Sequence, residues 1–407
     1  MNLENTGRIL YVASVDMALA NGPAVNEQEF VKALFKALPG RSHAVIPTPS
    51  EPVDGLDLSA VTFSRPIGQG LPAFLQHQAD QVAKAIALLK QERFDLLVTR
   101  IRGLHTAGLS YIARRHPVPY ALKTLGEYAL FEVPARRSPK AKLRYAVDHV
   151  RRRSLRKVLC KAMAIDVCTA ILQEQALKRF ALEPAKVKLI DNAVNTELFY
   201  PQDKAQARVA CGLERFDPIV GFVGGRPWER GGMQMVELAP RLIQKFPRLG
   251  MVIVGGGDGM AALHRRAQEL KVLEHCVFAG VVPYARVPQW VNSFDIGIAF
   301  DAPARVAMVG NANQKVRQYI ACGKPVLASS GGNEFLQTHS LGSVVDVQDL
   351  AQIEQAFVQW LSLTPTQRQL HARKASEFAK ANLSVEKTLR QRLDFWSERL
   401  GAQGSRA

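Results

Sequence analysis

Hydrophobic positions in the first half of the chain alternate between short continuous runs and longer stretches of helical spacing. Ile9–Ala13 is a five-residue apolar run, which predicts a strand. Asn26–Leu38 places Phe30, Val31, Leu34, Phe35 and Leu38 on one face of a helix. Ala44–Pro47 predicts a second strand, and Pro72–Arg93 a long helix striped by Phe74, Leu75, Val82, Ile86 and Leu89. It runs into the strand Phe94–Thr99, followed by helix Gly108–Arg115 and strand Val118–Leu122. Beyond a basic helical segment come strand Ala164–Ile171, helix Gln173–Phe180 and strand Val187–Ile190. Strands that alternate with helices in this way predict a parallel sheet with both faces covered.

Asn195–Asp217 holds Pro201 and few long apolar runs, with Pro218 just beyond, so the linker between two domains is expected there. The alternation then restarts. Strands are predicted at Ile219–Val223, Gly250–Val254, Cys276–Ala279, Ile296–Phe300 and Pro325–Ala328. Helices are predicted at Met233–Phe246, Met260–Leu270, Val287–Phe294, Asn313–Ala321 and Leu350–Leu361. A last helical stretch, Glu386–Leu400, has no assigned place. The expected fold class is α/β, with two doubly wound, Rossmann-like domains at 1–200 and 201–385 and a C-terminal helix and tail at 386–407. In such a pair the ligand is expected in a cleft facing the carboxyl ends of the strands.

The length, 407 residues, suits two domains of roughly 200 residues each. No apolar run approaches the ~20 residues that span a bilayer, and the opening apolar run is too short for a signal peptide. Five scattered cysteines without a Cys-x-x-Cys pair argue against a disulfide framework or a zinc site, so a cytoplasmic location is expected. The net charge of +17 is uneven, because Ala135–Met163 carries eleven basic residues against one acid, Asp148. A local cationic surface implies a local anionic partner, the plain alternative being a solvated helix face. Aromatic residues make up 7% and are not interleaved with the basic run, which argues against nucleic acid and in favour of a membrane-surface patch.

Three glycine-rich or polar turns carry the candidate chemistry. Gly224-Gly225-Arg226-Pro227-Trp228-Glu229-Arg230-Gly231-Gly232 follows a predicted buried strand and sets two guanidiniums four residues apart. Arginine grips phosphate oxygens in bidentate fashion, so Arg226 and Arg230 suit a diphosphate leaving group. Val254-Gly255-Gly256-Gly257-Asp258-Gly259 is neither a dinucleotide fingerprint nor a P-loop, and reads as a tight turn whose backbone could approach a nucleotide. Gly310-Asn311-Ala312-Asn313-Gln314-Lys315 opens a helix with a lysine in its first turn, against the helix dipole, which points to an anion nearby. Gln318, one turn on, suits ribose hydroxyls.

These turns, in this order, resemble the retaining nucleotide-sugar glycosyltransferases of GT-B architecture, family 4, the glycosyl transferases group 1 set. The resemblance is strongest from Val187 to Glu334. Lys188–Pro201 is similar to the segment "I-x-N-G-V-D…F-x-P", Gly225–Gly231 to "G-R…K-G" with Arg230 in place of Lys, and Val252–Gly257 to "I-V-G-x-G". Phe278–Val282 is similar to "F-x-G-x-V", which implies that Val282 runs beside the base, and Ala321–Val326 to "A-C-G-x-P-V". The resemblance implies a nucleoside diphosphate sugar as donor, retention of anomeric configuration, no cofactor, and a glycan or lipid-linked acceptor in cell-surface polysaccharide synthesis. Arg226, Arg230 and Lys315 become catalytic candidates. Gly225, Gly255, Gly257, Val282, Asn311, Asn313 and Gln318 become donor contacts.

Two departures stand out. The family's Glu-x7-Glu pair falls on Gly310 and Gln318, neither acidic, while Asn311, Asn313 and Lys315 resemble a polar N/S…K loop used instead. The first-domain turn reads Ala20-Asn21-Gly22-Pro23 in place of a Gly-Gly pair, leaving Gly22 as the donor contact. Arg100 and His105, past the Phe94–Thr99 strand, and Glu127, past the next, are acceptor-side candidates. No Asp-x-Asp occurs, so side-chain cations are expected to replace a metal ion. The missing carboxylates keep a second reading open, a non-catalytic sugar-nucleotide-binding or assembly protein of the same fold.

Overall fold

The computed structural model describes residues 2–100, 105–123 and 153–404. The chain forms two units, one of Met1–Leu19, Pro23–Asp191 and Thr388–Ala407, the other of Ala20–Gly22 and Asn192–Lys387. In the first unit the strands are β1 (Ile9–Ala13), β2 (Ser42–Pro47), β3 (Val61–Ser64), β4 (Leu96–Arg100), β5 (Tyr120–Leu122), β6 (Ala164–Val167) and β7 (Val187–Leu189). They lie in the order β3-β2-β1-β4-β5-β6-β7, all parallel. The second unit has β8 (Ile219–Val223), β9 (Gly250–Val254), β10 (Cys276–Gly280), β11 (Ile296–Ala299), β12 (Val326–Ala328) and β13 (Gly342–Val344). Their order is β10-β9-β8-β11-β12-β13, again all parallel. The strand order reverses beside β1 and beside β8, as expected of doubly wound sheets.

Continuous apolar runs become strands because both faces need covering. In β8, Val220 and Phe222 enter one core layer while Ile219 and Val223 enter the other. Gly221 between them leaves room for the Phe294 ring, which a Cβ there would strike. At the end of β6 the expected strand through Ile171 stops at Val167. Thr169 caps the next helix, Ala170–Phe180, by accepting the Leu172 N–H at 3.2 Å.

The unit boundary falls after Asp191, ahead of the expected 200/201 division, because the Val194 N–H binds the Leu383 carbonyl at 2.8 Å. The expected linker instead contains the helix Lys204–Cys211, opened by Asp203 and closed by left-handed Gly212. The helix Val385–Gly404 carries the chain back to the first unit, where Leu389, Leu393, Phe395 and a fully buried Trp396 join the core around Phe30. Part of the expected basic surface, 135–152, and Glu127 lie outside the described residues. No helix among the described residues is long and apolar enough to cross a membrane.

The amino ends of the second sheet are tied together by one carboxylate. Asp295 accepts Lys204 Nζ and an Arg368 nitrogen, each at 2.8 Å, an Arg208 nitrogen at 2.5 Å and the Ile219 N–H at 2.7 Å. It joins β8 and β11 to the helices Lys204–Cys211 and Pro365–Asn382. Burial pushes its carboxyl up, and Lys204 and Arg208 outweigh that, leaving it below the usual range. Its stabilising contribution is therefore complete above the unfolded pKa of about 3.9 and is lost as pH falls through the lower native value. Asp295→Ala is expected to cost about 3–5 kcal/mol at neutral pH, because Lys204 and Arg368 lose this partner and Arg208 is left with Asp217. In urea unfolding followed across pH, the gap between wild type and Asp295→Asn is expected to narrow on acidification.

Candidate active site

The carboxyl ends of β8 and β11 are neighbours at the point where strand order reverses. Crossovers leave such strands toward opposite faces, so the two loops flank the position at which open α/β sheets generally bind ligands. The loop after β8 is a tight turn, with Gly224 at φ 129°, Arg226 at φ 56° and Gly231 at φ 116°. It interlocks with the loop after β9. The Gly224 N–H binds the Val254 carbonyl at 2.8 Å, the Arg226 N–H binds Gly256 O at 3.1 Å, and the Gly255 N–H binds Gly280 O at 2.7 Å. Gly255 has φ 133°, and a Cβ there would fall on the Gly224 carbonyl. Gly257, at φ 107°, lies against the Arg226 backbone nitrogen.

From this scaffold Arg230 reaches the loop after β11. Its Nε lies 3.6 Å from Asp301 Oδ1, and Arg305 Nε lies 3.5 Å from the same oxygen. Asn313 donates its side-chain N–H to Asp301 Oδ2 at 2.5 Å, and so leaves the helix Gln314–Ala321 without the side-chain cap an N-terminal asparagine ordinarily supplies. Ser329, after β12, accepts the Asp301 N–H at 3.0 Å and Asn311 Nδ2 at 2.8 Å. Asn311 Oδ1 is buried with no partner among the described residues. Gln318 is buried on the same helix as Lys315.

Lys315 is the most unusual of these groups. Its side chain is buried, at 6% exposure, with Nζ 3.7 Å from the centre of the Phe222 ring and no hydrogen-bond partner among the described residues. Burial drives its pKa well below the ordinary lysine value; Arg230 pushes the same way and Asp301 opposes both.

Arg226 stands apart from this cluster. Its side chain is 59% exposed and donates to Glu229 at 2.7 Å. Gly225 is exposed on the same turn, and Val282 is half-buried against the core of the second unit. The position expected for the first family glutamate, Gly310, has φ 68° and ψ −166°, a backbone region essentially open to glycine alone. No carboxylate can be restored there without refolding the loop. Gly22 opens the helix Gly22–Ala37 and groups with the second unit.

In the first unit Arg100 ends β4 and donates to Glu27 at 2.7 Å; Lys123 Nζ binds the same Glu27 oxygen at 2.7 Å, and the Tyr11 hydroxyl donates to the other. Burial pushes the Glu27 carboxyl up, and Lys123 and Arg100 more than reverse this, bringing it to about 2. His105 opens the helix His105–Arg115. Among the described residues no group of three or more His, Cys, Asp or Glu side chains is placed to hold a metal ion.

Residues 217–362 match the family described as Glycosyl transferases group 1. The matched residues fall within the second unit. Over 182 residues the chain is 29% identical to a GDP-mannose-dependent alpha-(1-6)-phosphatidylinositol monomannoside mannosyltransferase of Mycolicibacterium smegmatis, covering 42% of this chain and 46% of that protein. The matched part thus spans less than half of that relative's length. Among solved structures, sucrose-phosphate synthase from Thermosynechococcus elongatus superposes with a TM-score of 0.71 at 19% identity, covering 97% of this chain and 100% of that one. Anabaena HepE, in complex with UDP and glucose, gives 0.68 at 18% identity, covering 96% and 100%. At these identities the likeness is one of fold, the two Rossmann-like domains of GT-B glycosyltransferases.

Asp301, Phe222 and Glu27 did not emerge from sequence patterns, since none sits in a recognisable motif. An acid just past a buried strand at the reversal point is the signal that would have found Asp301. The interlocked turns have their own test. Gly255→Ala is expected to lower stability by more than about 1 kcal/mol, since the added Cβ meets both a backbone clash and an unfavourable φ. The measurement is a thermal melt of the purified variant against wild type.

Proposed function

We propose that the protein transfers a sugar from a nucleoside diphosphate sugar to a glycan or lipid-linked acceptor, with the anomeric configuration retained. The observation that carries this reading is the convergence of Arg230 and Lys315 at the carboxyl ends of β8 and β11, around a single buried carboxylate. As the anomeric bond breaks, negative charge grows on the departing phosphate and the sugar becomes oxocarbenium-like. Fixed cations in a site of low dielectric stabilise that charge more than they stabilise the intact donor, which is the condition for catalysis.

In this reading Arg230 and Lys315 face the diphosphate, with Arg226 joining from its exposed turn. The Gly225, Gly255 and Gly257 backbones lie beside the nucleotide, and Val282 runs near the base. Asn311 and Asn313 take the place of the absent glutamates, and the Gln318 amide holds the ribose without a charge. Arg100 and His105 stand on the acceptor side. The basic segment 135–163 supplies a peripheral hold on anionic lipid, at about 1 kcal/mol per Lys or Arg near the surface. That places the enzyme on the inner face of the membrane, beside a lipid-linked acceptor. The domain match and the fold shared with nucleotide-sugar enzymes support this reading.

The test is a panel of labelled nucleotide sugars, GDP-mannose and UDP-glucose among them, incubated with lipid-linked and free glycan acceptors. Product with the donor's anomeric configuration, read by NMR, is expected. Binding of a donor without product in any pairing supports the non-catalytic alternative. Arg230→Ala is expected to lower turnover by about 10²–10³, the size of effect when one fixed stabiliser of a developing anion is removed. Arg226→Ala is expected to lose less, because that guanidinium is solvated and shared with Glu229.

A further inference from the structure

The charges around Asp301 are unevenly matched. One carboxylate, 3% exposed, answers Arg230 and Arg305 and also accepts from Asn313. Its second neighbour of like sign to Arg230, Lys315, has no hydrogen bond and rests on the face of Phe222. A Cβ placed on Gly224 would stand 3.4 Å from Lys315 Nζ, so the amine lies directly under the turn that carries Arg226 and Arg230.

We propose that Lys315 is a proton-coupled contact of the donor diphosphate: with the nearby Asp301 carboxylate already engaged by Arg230, Arg305 and Asn313, its buried amine takes up a proton when an anionic diphosphate arrives. This rests on the donor-site reading above. Buried ammonium groups need a counter-charge and an acceptor, and here both are committed elsewhere. The charged groups acting on Lys315 are Arg230, from the loop after β8, which disfavours its protonation, and Asp301, from the loop after β11, which favours it. Phe222 of β8 offers only a ring face. On its own helix Arg317 turns to the Asn313 carbonyl at 3.2 Å. A diphosphate supplies the missing acceptor oxygens and negative charge together. Proton and ligand then bind as one thermodynamic event.

The experiment is calorimetric titration of the full chain with UDP and with GDP, in buffers of matched pH and different ionisation enthalpy. At pH values where an ordinary lysine, with a pKa of about 10.4, is already charged, net proton uptake on diphosphate binding is expected. Lys315→Met, which keeps an apolar chain on Phe222, is expected to bind at least about tenfold more weakly and with no Lys315-derived uptake. Asp301→Asn removes the anion that, among the described residues, favours the ammonium. Its proton uptake is therefore expected to persist to lower pH than in wild type, a shift that a merely structural role for Asp301 does not produce. Tight binding without proton uptake in the wild type overturns the inference and leaves the donor-site reading standing. Uptake that survives in Lys315→Met overturns it as well. Failure of both nucleotides to bind removes the donor-site reading, and this inference with it.

Discussion

A parallel sheet sends every strand's carboxyl end to the same edge, and the reversal of strand order beside β8 leaves one place on that edge that no crossover covers. The local chemistry of the second unit follows from this constraint. Backbone groups freed at the ends of β8 and β9 are satisfied by each other, through turns so tight that Gly224, Gly255 and Gly257 all sit at positive φ. Their closeness brings Arg230 to Asp301 and holds Lys315 beneath the turn. The same strands are gripped at their amino ends by Asp295, so the sheet is charge-clamped at one edge and charge-poised at the other.

Much of this fold was legible in residue order. The apolar runs Ile219–Val223 and Gly250–Val254 are strands from end to end, because burial on both faces leaves no polar position to confuse the pattern. Elements at the edges were harder to see. β3 and β13 are short, with interiors only half-buried, and so lack a continuous apolar run. The helix Pro365–Asn382 carries a scattered apolar face, yet its start was written locally, since Thr364 and Gln367 form a reciprocal cap ahead of Pro365. The strand at Ala164 was overdrawn because Cys168 and Ile171 read as apolar, while the decisive signal was the capping hydroxyl of Thr169.

The site was legible in part and for a different reason. Turns rich in glycine and arginine advertise themselves in one dimension. Pairings such as Arg230 with Asp301 or Arg100 with Glu27 join residues far apart in the chain, and only folding brings them together. Local spacing made Arg226 and Arg230 look equivalent. In three dimensions one is solvated and paired with its neighbour three residues on, while the other enters a buried cluster. At Gly310, where the glutamate of the resembled family is absent, the backbone conformation admits no side chain at low cost.

The return of the last helix carries an implication for biogenesis. Trp396, Leu393 and Leu389 complete the hydrophobic interior of a body whose other strands are translated first. While the nascent polypeptide lengthens, that earlier body waits with an unfilled hollow near Phe30, whereas the later one has all its residues once Lys387 has emerged. The half made last is thus the first able to close, and any premature stop in the final helix damages the half made first.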